Sequence, residues 1–144
     1  MEPCQYPRQY LYKRIVQAKL FIDEHYADNP DLNNISDEAC FSRFHFIRLF
    51  KEIYGYTPHQ YLTHVRIEHA KLLLQEGGYI ADVCYTLGFS SISSFTGLFK
   101  RKTGLTPSAY QQQQSARNVA MNHKPLQYVP ACFAGKRGWT EPQF

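Results

Sequence analysis

The residues best equipped for chemistry in this sequence are cationic or hydroxylic, and they fall in two runs. In SRFHFIRLFK, residues 42–51, the helix face opposite Phe46 and Phe50 would present Arg43, Phe44, Ile47, Arg48 and Lys51, with His45 at its margin. A guanidinium fork donates two parallel hydrogen bonds to a planar pair of acceptors such as guanine O6 and N7, a contact worth about 1–3 kcal/mol of base discrimination. Phe44 and Ile47 offer apolar surface of the kind that meets a thymine methyl. In SSISSFTGLFKRK, residues 90–102, the outward set is Ser91, Ser93, Ser94, Thr96, Gly97, Lys100 and Arg101. Small hydroxyls at a helix start suit hydrogen bonds to phosphates or base edges, and the helix start itself attracts phosphate. Thr57 and Thr106 would add the amides of two further helix starts.

Charge agrees with this chemistry only locally. The chain carries a net +4 with a pI near 8.9, and residues 1–114 are almost balanced, 12 basic against 11 acidic. Residues 77–114, however, set Lys100, Arg101 and Lys102 against a single acid, Asp82. Enzyme chemistry has little to work with: there is no phosphate-binding glycine loop and no paired histidine and carboxylate motif. Cys4, Cys40, Cys84 and Cys132 are too scattered for a zinc set or a disulfide framework, which reads as reduced thiols in the cytoplasm. His64 and His69 are five apart on a helix and do not share a face, so neither metal nor cofactor is expected. No apolar run approaches the roughly 18 residues of a membrane span.

Positioning the two runs requires two similar scaffolds, and the sequence supplies them as a repeat. FKEIYGYTPHQY, residues 50–61, and FKRKTGLTPSAY, residues 99–110, share six of twelve positions at an offset of 49. The match extends back through Leu49 and Leu98, Phe46 and Phe95, and Ser42 and Ser91. Each copy predicts an amphipathic helix, a terminating glycine (Gly55, Gly104), and a new helix capped by Thr57-Pro58 or Thr106-Pro107. A shorter apolar segment precedes each copy: Leu32, Ile35 and Ala39 after an Asp31 cap, and Ile80, Val83, Cys84 and Leu87. Breaks follow at Cys40–Phe41 and Gly88–Phe89. Short helix, tight turn and second helix make a helix-turn-helix, here built twice.

An all-α fold of about seven helices follows. An extension over residues 1–8 precedes a first unit over 9–57, with Leu11, Ile15, Ala18 and Ile22 of the opening helix turned inward. A helix over 58–76, about 28 Å long, joins it to a second unit over 77–114. Arg66 on this strut is expected in a buttressing ion pair. Residues 115–144 show no helical period and read as a poorly ordered basic tail, with Phe133 or Trp139 as anchors if it docks.

The run IADVCYTLGFSSISSFTGLFKRKTGLTPSAY, residues 80–110, resembles the signature of the AraC/XylS family. The resemblance covers about residues 9–114, and a chain of this size is similar to the small stand-alone activators of that bacterial family. It implies a transcription regulator that binds double-stranded DNA sequence-specifically, usually with recruitment of RNA polymerase; a strut of this length suits a monomer reading two adjacent major-groove segments. Cys84 is a tolerable swap for a small residue of the family pattern, Ser36 is its equivalent in the first unit, and three further positions depart from the pattern. Cys40 replaces a usual turn glycine, Tyr79 stands where a capping Ser or Thr is common, and Gly97 stands where relatives carry a long polar or basic side chain. Gly97 predicts a second unit that grips backbone more than it reads bases. The rival readings are a helical protein-interaction module and the DNA-binding fragment of a longer regulator.

Overall fold

The computed structural model describes residues 8–32, 42–125, 129–130, 132 and 136–138. Over them the chain is helical, with six α-helices: α1 (Arg8–His25), α2 (Arg43–Tyr54), α3 (Pro58–Gln75), α4 (Ile80–Thr86), α5 (Ile92–Thr103) and α6 (Pro107–His123), plus a 3-10 turn at Tyr26–Asp28. The helix expected beyond Asp31 and the turn at Cys40–Phe41 lie outside the described residues, apart from a buried Leu32 at its start. So do the proposed anchors Phe133 and Trp139.

The side chains bury into two clusters. Ile15, Ala18 and Ile22 of α1 meet Leu32 and the Phe46 and Phe50 of α2, with Tyr61 and Leu62 of α3 packed alongside. Ile67, Ala70 and Leu74 of α3 meet Val83, Cys84 and Leu87 at α4 and the Phe95 and Phe99 of α5. Thus α3 contributes its first half to one core and its second half to the other. Leu11 is only half-buried and Ile53 is largely exposed, because the apolar stripe of each helix is wider than the core it faces.

The sequence repeat is reproduced in the caps and helix ends of both copies. Ser42 and Ser91 cap α2 and α5 by accepting from the amides of His45 (3.3 Å) and Ser94 (3.2 Å). Gly55 and Gly104 end those helices in the left-handed region, each amide returning to the carbonyl four residues back at 2.8 Å. Thr57 accepts from the Gln60 amide at 3.3 Å while Gln60 Oε1 accepts from the Thr57 amide at 3.0 Å, a complete capping box. Thr106 accepts from Ala109 at 3.2 Å. The ring pairs also correspond: Phe50 meets Tyr61 edge-on at 5.8 Å, as Phe99 meets Tyr110 at 5.4 Å.

Polar ties fix the strut at both ends. The Tyr61 hydroxyl donates to Asp23 at 2.8 Å, and Asp23 also pairs with Lys19 at 2.6 Å. Burial, then the Asp23 carboxylate, holds the Tyr61 phenol above its ordinary pKa. At the other end the Gln111 amide donates to the Gly78 carbonyl at 2.9 Å, and Gln75 donates to the Tyr110 hydroxyl at 2.9 Å. Tyr79 begins α4 without a side-chain cap, as its side chain requires.

Two expectations are corrected. Arg66 is buried but makes no ion pair among the described residues; its partners are neutral. Its Nε donates to the Tyr26 carbonyl and its terminal nitrogen to Asn29 Oδ1, both at 2.7 Å, and its plane lies over Phe89. The second correction concerns residues 115–123, which continue α6 to His123. Ala116, Arg117, Ala120 and Met121 are good helix formers, and nothing breaks the helix before Pro125.

Candidate nucleic-acid interface

A helix with one buried edge presents its remaining side chains to solvent, and α2 buries Phe46 and Phe50. Arg43, Phe44, His45, Arg48 and Lys51 are accordingly exposed, while Ile47 is half-buried against the first cluster. Phe44 is 81% exposed, a large apolar ring left in water beside two guanidinium groups. On α5 the buried pair is Phe95 and Phe99, which leaves Ser93, Ser94, Gly97, Lys100 and Arg101 exposed and Thr96 and Ser91 half-buried. Among the described residues none of Arg43, Arg48, Lys51, Lys100, Arg101 and Lys102 enters an ion pair. Their charge faces solvent uncompensated.

Some hydroxyls expected at the interface are engaged in capping. Ser91 accepts from the Ser94 amide and donates to Ser94 Oγ at 2.9 Å. The Thr57 amide is occupied by Gln60, and Pro58 has none, so the first donor that the cap leaves open at the start of α3 is that of His59.

His59 is a candidate that sequence reasoning missed. It borders a cleft of about 150 Å³ with Arg43, Ile47 and Thr57, and a second of about 410 Å³ with Gln60, Thr63, Arg101 and Lys102. The first turn of α3 therefore adjoins residues of both α2 and α5. Ile92 was also missed: it is the counterpart of Arg43 at the offset of 49 and is exposed. The repeat alignment was the signal that could have found it.

By the same alignment Gly97 is the counterpart of Arg48, so one helix carries a guanidinium where the other carries no side chain. A Cβ at Gly97 would meet nothing within 4 Å. Gly97→Ala is therefore expected to stabilise the protein by about 0.5–1 kcal/mol by relieving the backbone-entropy deficit of a mid-helix glycine. Thermal unfolding checks this, and a lowered melting temperature would show that the position needs glycine.

Cys84, His64 and His69 are engaged in packing. Cys84 is fully buried, and burial pushes its thiol above the ordinary pKa, away from the reactive thiolate. His64 stacks on Tyr56 and His69 on Tyr26, and among the described residues no three of His, Cys, Asp and Glu gather as metal ligands. No described helix is long and apolar enough to cross a membrane.

Residues 35–113 match the helix-turn-helix domain family. The HTH-type transcriptional regulator ExsA of Pseudomonas aeruginosa is 34% identical over 106 residues, 73% of this chain and 38% of its own length. The chain spans about a quarter to a half of the curated relatives it matches first. Among solved structures, the DNA-binding domain of AdpA, crystallised with a target DNA, is 30% identical with a TM-score of 0.65, covering 72% of this chain and 94% of that domain. An AraC-type regulator from Chromobacterium violaceum shares the fold at 24% identity and a TM-score of 0.63, over 72% of this chain and 93% of its own. With its unit built twice and each copy punctuated by the same caps, the chain belongs to the helix-turn-helix domain family, in the double form of the AraC/XylS-like transcription regulators.

Proposed function

We propose that this protein is a sequence-specific transcription regulator that binds double-stranded DNA as a monomer, with α2 and α5 entering two adjacent major-groove segments. The observation that carries the reading is the pairing of the repeat with its exposed faces. Two helices with identical caps and identical buried phenylalanines leave six unpaired cations and the Phe44 ring in solvent. An α3 of 18 residues spans about 27 Å, which suits the roughly 34 Å repeat of successive major grooves once side-chain reach is added. The cocrystallised AdpA domain supports DNA as the ligand class. RNA polymerase is the further partner we assign, on the resemblance to regulators of transcription.

In this reading the two units work unequally. Arg43 and Arg48 donate to base edges, Phe44 and Ile47 cover thymine methyls, and Lys51 and His45 flank the strand. On α5, Ser93, Ser94 and Thr96 hydrogen-bond to phosphates or bases, Lys100 and Arg101 hold the backbone, and Gly97 contributes no contact of its own.

Selection of bound fragments from random duplex DNA tests this directly, and an asymmetric motif in two parts is expected. The logarithm of affinity for the selected site should fall linearly with the logarithm of salt concentration, with a slope of about −0.9 per phosphate neutralised. Arg48→Ala is expected to remove discrimination at one base pair by about 1–3 kcal/mol, and Lys100→Ala to weaken all sequences alike. A motif unchanged by Arg48→Ala takes Arg48 out of the reading set. Duplex binding with no sequence preference would favour a DNA-binding fragment of a longer regulator with weak specificity, and no duplex binding at all would favour a protein-interaction module.

A further inference from the structure

Arg66 is the one charged side chain buried among the described residues, 9% exposed, and three separate segments converge on it. Tyr26 opens the 3-10 turn that follows α1 and Asn29 caps its end; Phe89 belongs to the turn between α4 and α5; Arg66 itself sits in the middle of α3. The approach is close enough that a Cβ on Gly88 would collide with the Ala27 carbonyl oxygen and stand 2.9 Å from an Arg66 guanidinium nitrogen. Asn29 holds a left-handed backbone, φ 53°, which presents its Oδ1 to the guanidinium. The Tyr26 ring packs on the second cluster and stacks on His69 at 4.2 Å, although α1 builds the first.

A desolvated guanidinium with no carboxylate is a poor way to gain stability, since an apolar side chain of the same volume would fill the space without the desolvation penalty. What an apolar side chain lacks is direction. A planar fork fixes the angles to the Tyr26 carbonyl and the Asn29 amide at once, while its face fixes the distance to Phe89. We infer that Arg66 is a positioning residue: it locks the orientation of the second helix-turn-helix unit relative to the first, and so sets the separation of DNA segments that α2 and α5 can engage together. The DNA half of this inference rests on the two-segment reading above; the orientation half does not.

The test therefore has two arms, each run on wild type and Arg66→Met. In the free, weakly aligned protein, residual dipolar couplings of amides in 43–54 and 92–103 are expected to fit one alignment tensor in wild type and two in Arg66→Met, with each unit unchanged internally. In binding, a one-base-pair insertion between the two parts of the selected site is expected to lower wild-type affinity on the order of 100-fold, and that of Arg66→Met by less than about tenfold. A merely structural arginine would lower the melting temperature and leave both readouts alone, and that result overturns the inference. If wild type shows no two-part site, the two-segment reading fails and the couplings alone decide the role of Arg66. Should Arg66→Met fail to fold, Asn29→Gly, which keeps the left-handed backbone and removes only the Oδ1 acceptor, carries the same comparison.

Discussion

Phe99→Ala is expected to lower the free energy of unfolding by about 3–5 kcal/mol, and Phe50→Ala by a similar amount. Both rings are fully buried and occupy corresponding positions in the repeat. Phe99 lies 5.7 Å from Phe95 and 5.4 Å from Tyr110; Phe50 lies 6.1 Å from Phe46 and 5.8 Å from Tyr61. Each substitution deletes the ring on which α2 or α5 and the helix after it both rest. Against a typical total of about 5–15 kcal/mol, either change removes a large share of the stability. Denaturant unfolding measures it. Because Phe50 and Phe99 belong to separate clusters, hydrogen exchange should rise most in α2 for Phe50→Ala and in α5 for Phe99→Ala. A loss below about 1 kcal/mol for either would contradict its burial.

What sequence reasoning captured here is local. Caps, terminating glycines and the apolar stripes of α2 and α5 depend on residues within four positions of one another, so their spacing states them outright. The repeat made them doubly legible, since a misread cap in one copy would have disagreed with the other. Arg66 shows the boundary: its partners Tyr26, Asn29 and Phe89 are distant in sequence, and no period links them. An arginine on an apolar face suggests a carboxylate partner, and only the fold reveals a carbonyl, an amide and a ring instead. Residues 115–123 escaped for a different reason, because α6 beyond Ser115 carries no apolar stripe whose period could reveal it. The candidate interface was legible wherever exposure follows from helical phase, as at Arg43, Arg48 and Lys100. It was not legible at His59, whose place between α2 and α5 depends on how the units pack.

Gly88→Ala tests that packing more severely than any change on the exposed faces of α2 and α5. Gly88 adopts φ +82°, a conformation that costs an L-residue about 1–2 kcal/mol. Gly55 and Gly104 adopt φ +78° and +83°, so the backbone penalty of alanine should be alike at all three. Their surroundings differ. An added Cβ at Gly55 or Gly104 meets nothing within 4 Å, whereas at Gly88 it collides with the Ala27 carbonyl and crowds Arg66. The obstacle is backbone, which cannot swing aside as a side chain would, so overpacking adds about 1–3 kcal/mol. Gly88→Ala is therefore expected to cost about 2–5 kcal/mol, and Gly55→Ala and Gly104→Ala about 1–2 kcal/mol each. Relief of the clash requires the Tyr26–Asn29 turn and the α4–α5 turn to part, which would also strain the bridge that Arg66 makes between them, with hydrogen bonds to Tyr26 and Asn29 on one side and the Phe89 ring on the other. Side-by-side denaturation of the three variants isolates the close approach from the backbone term. Equal losses would mean that the turn at Gly88 has room to spare and that the two units are not held against each other there.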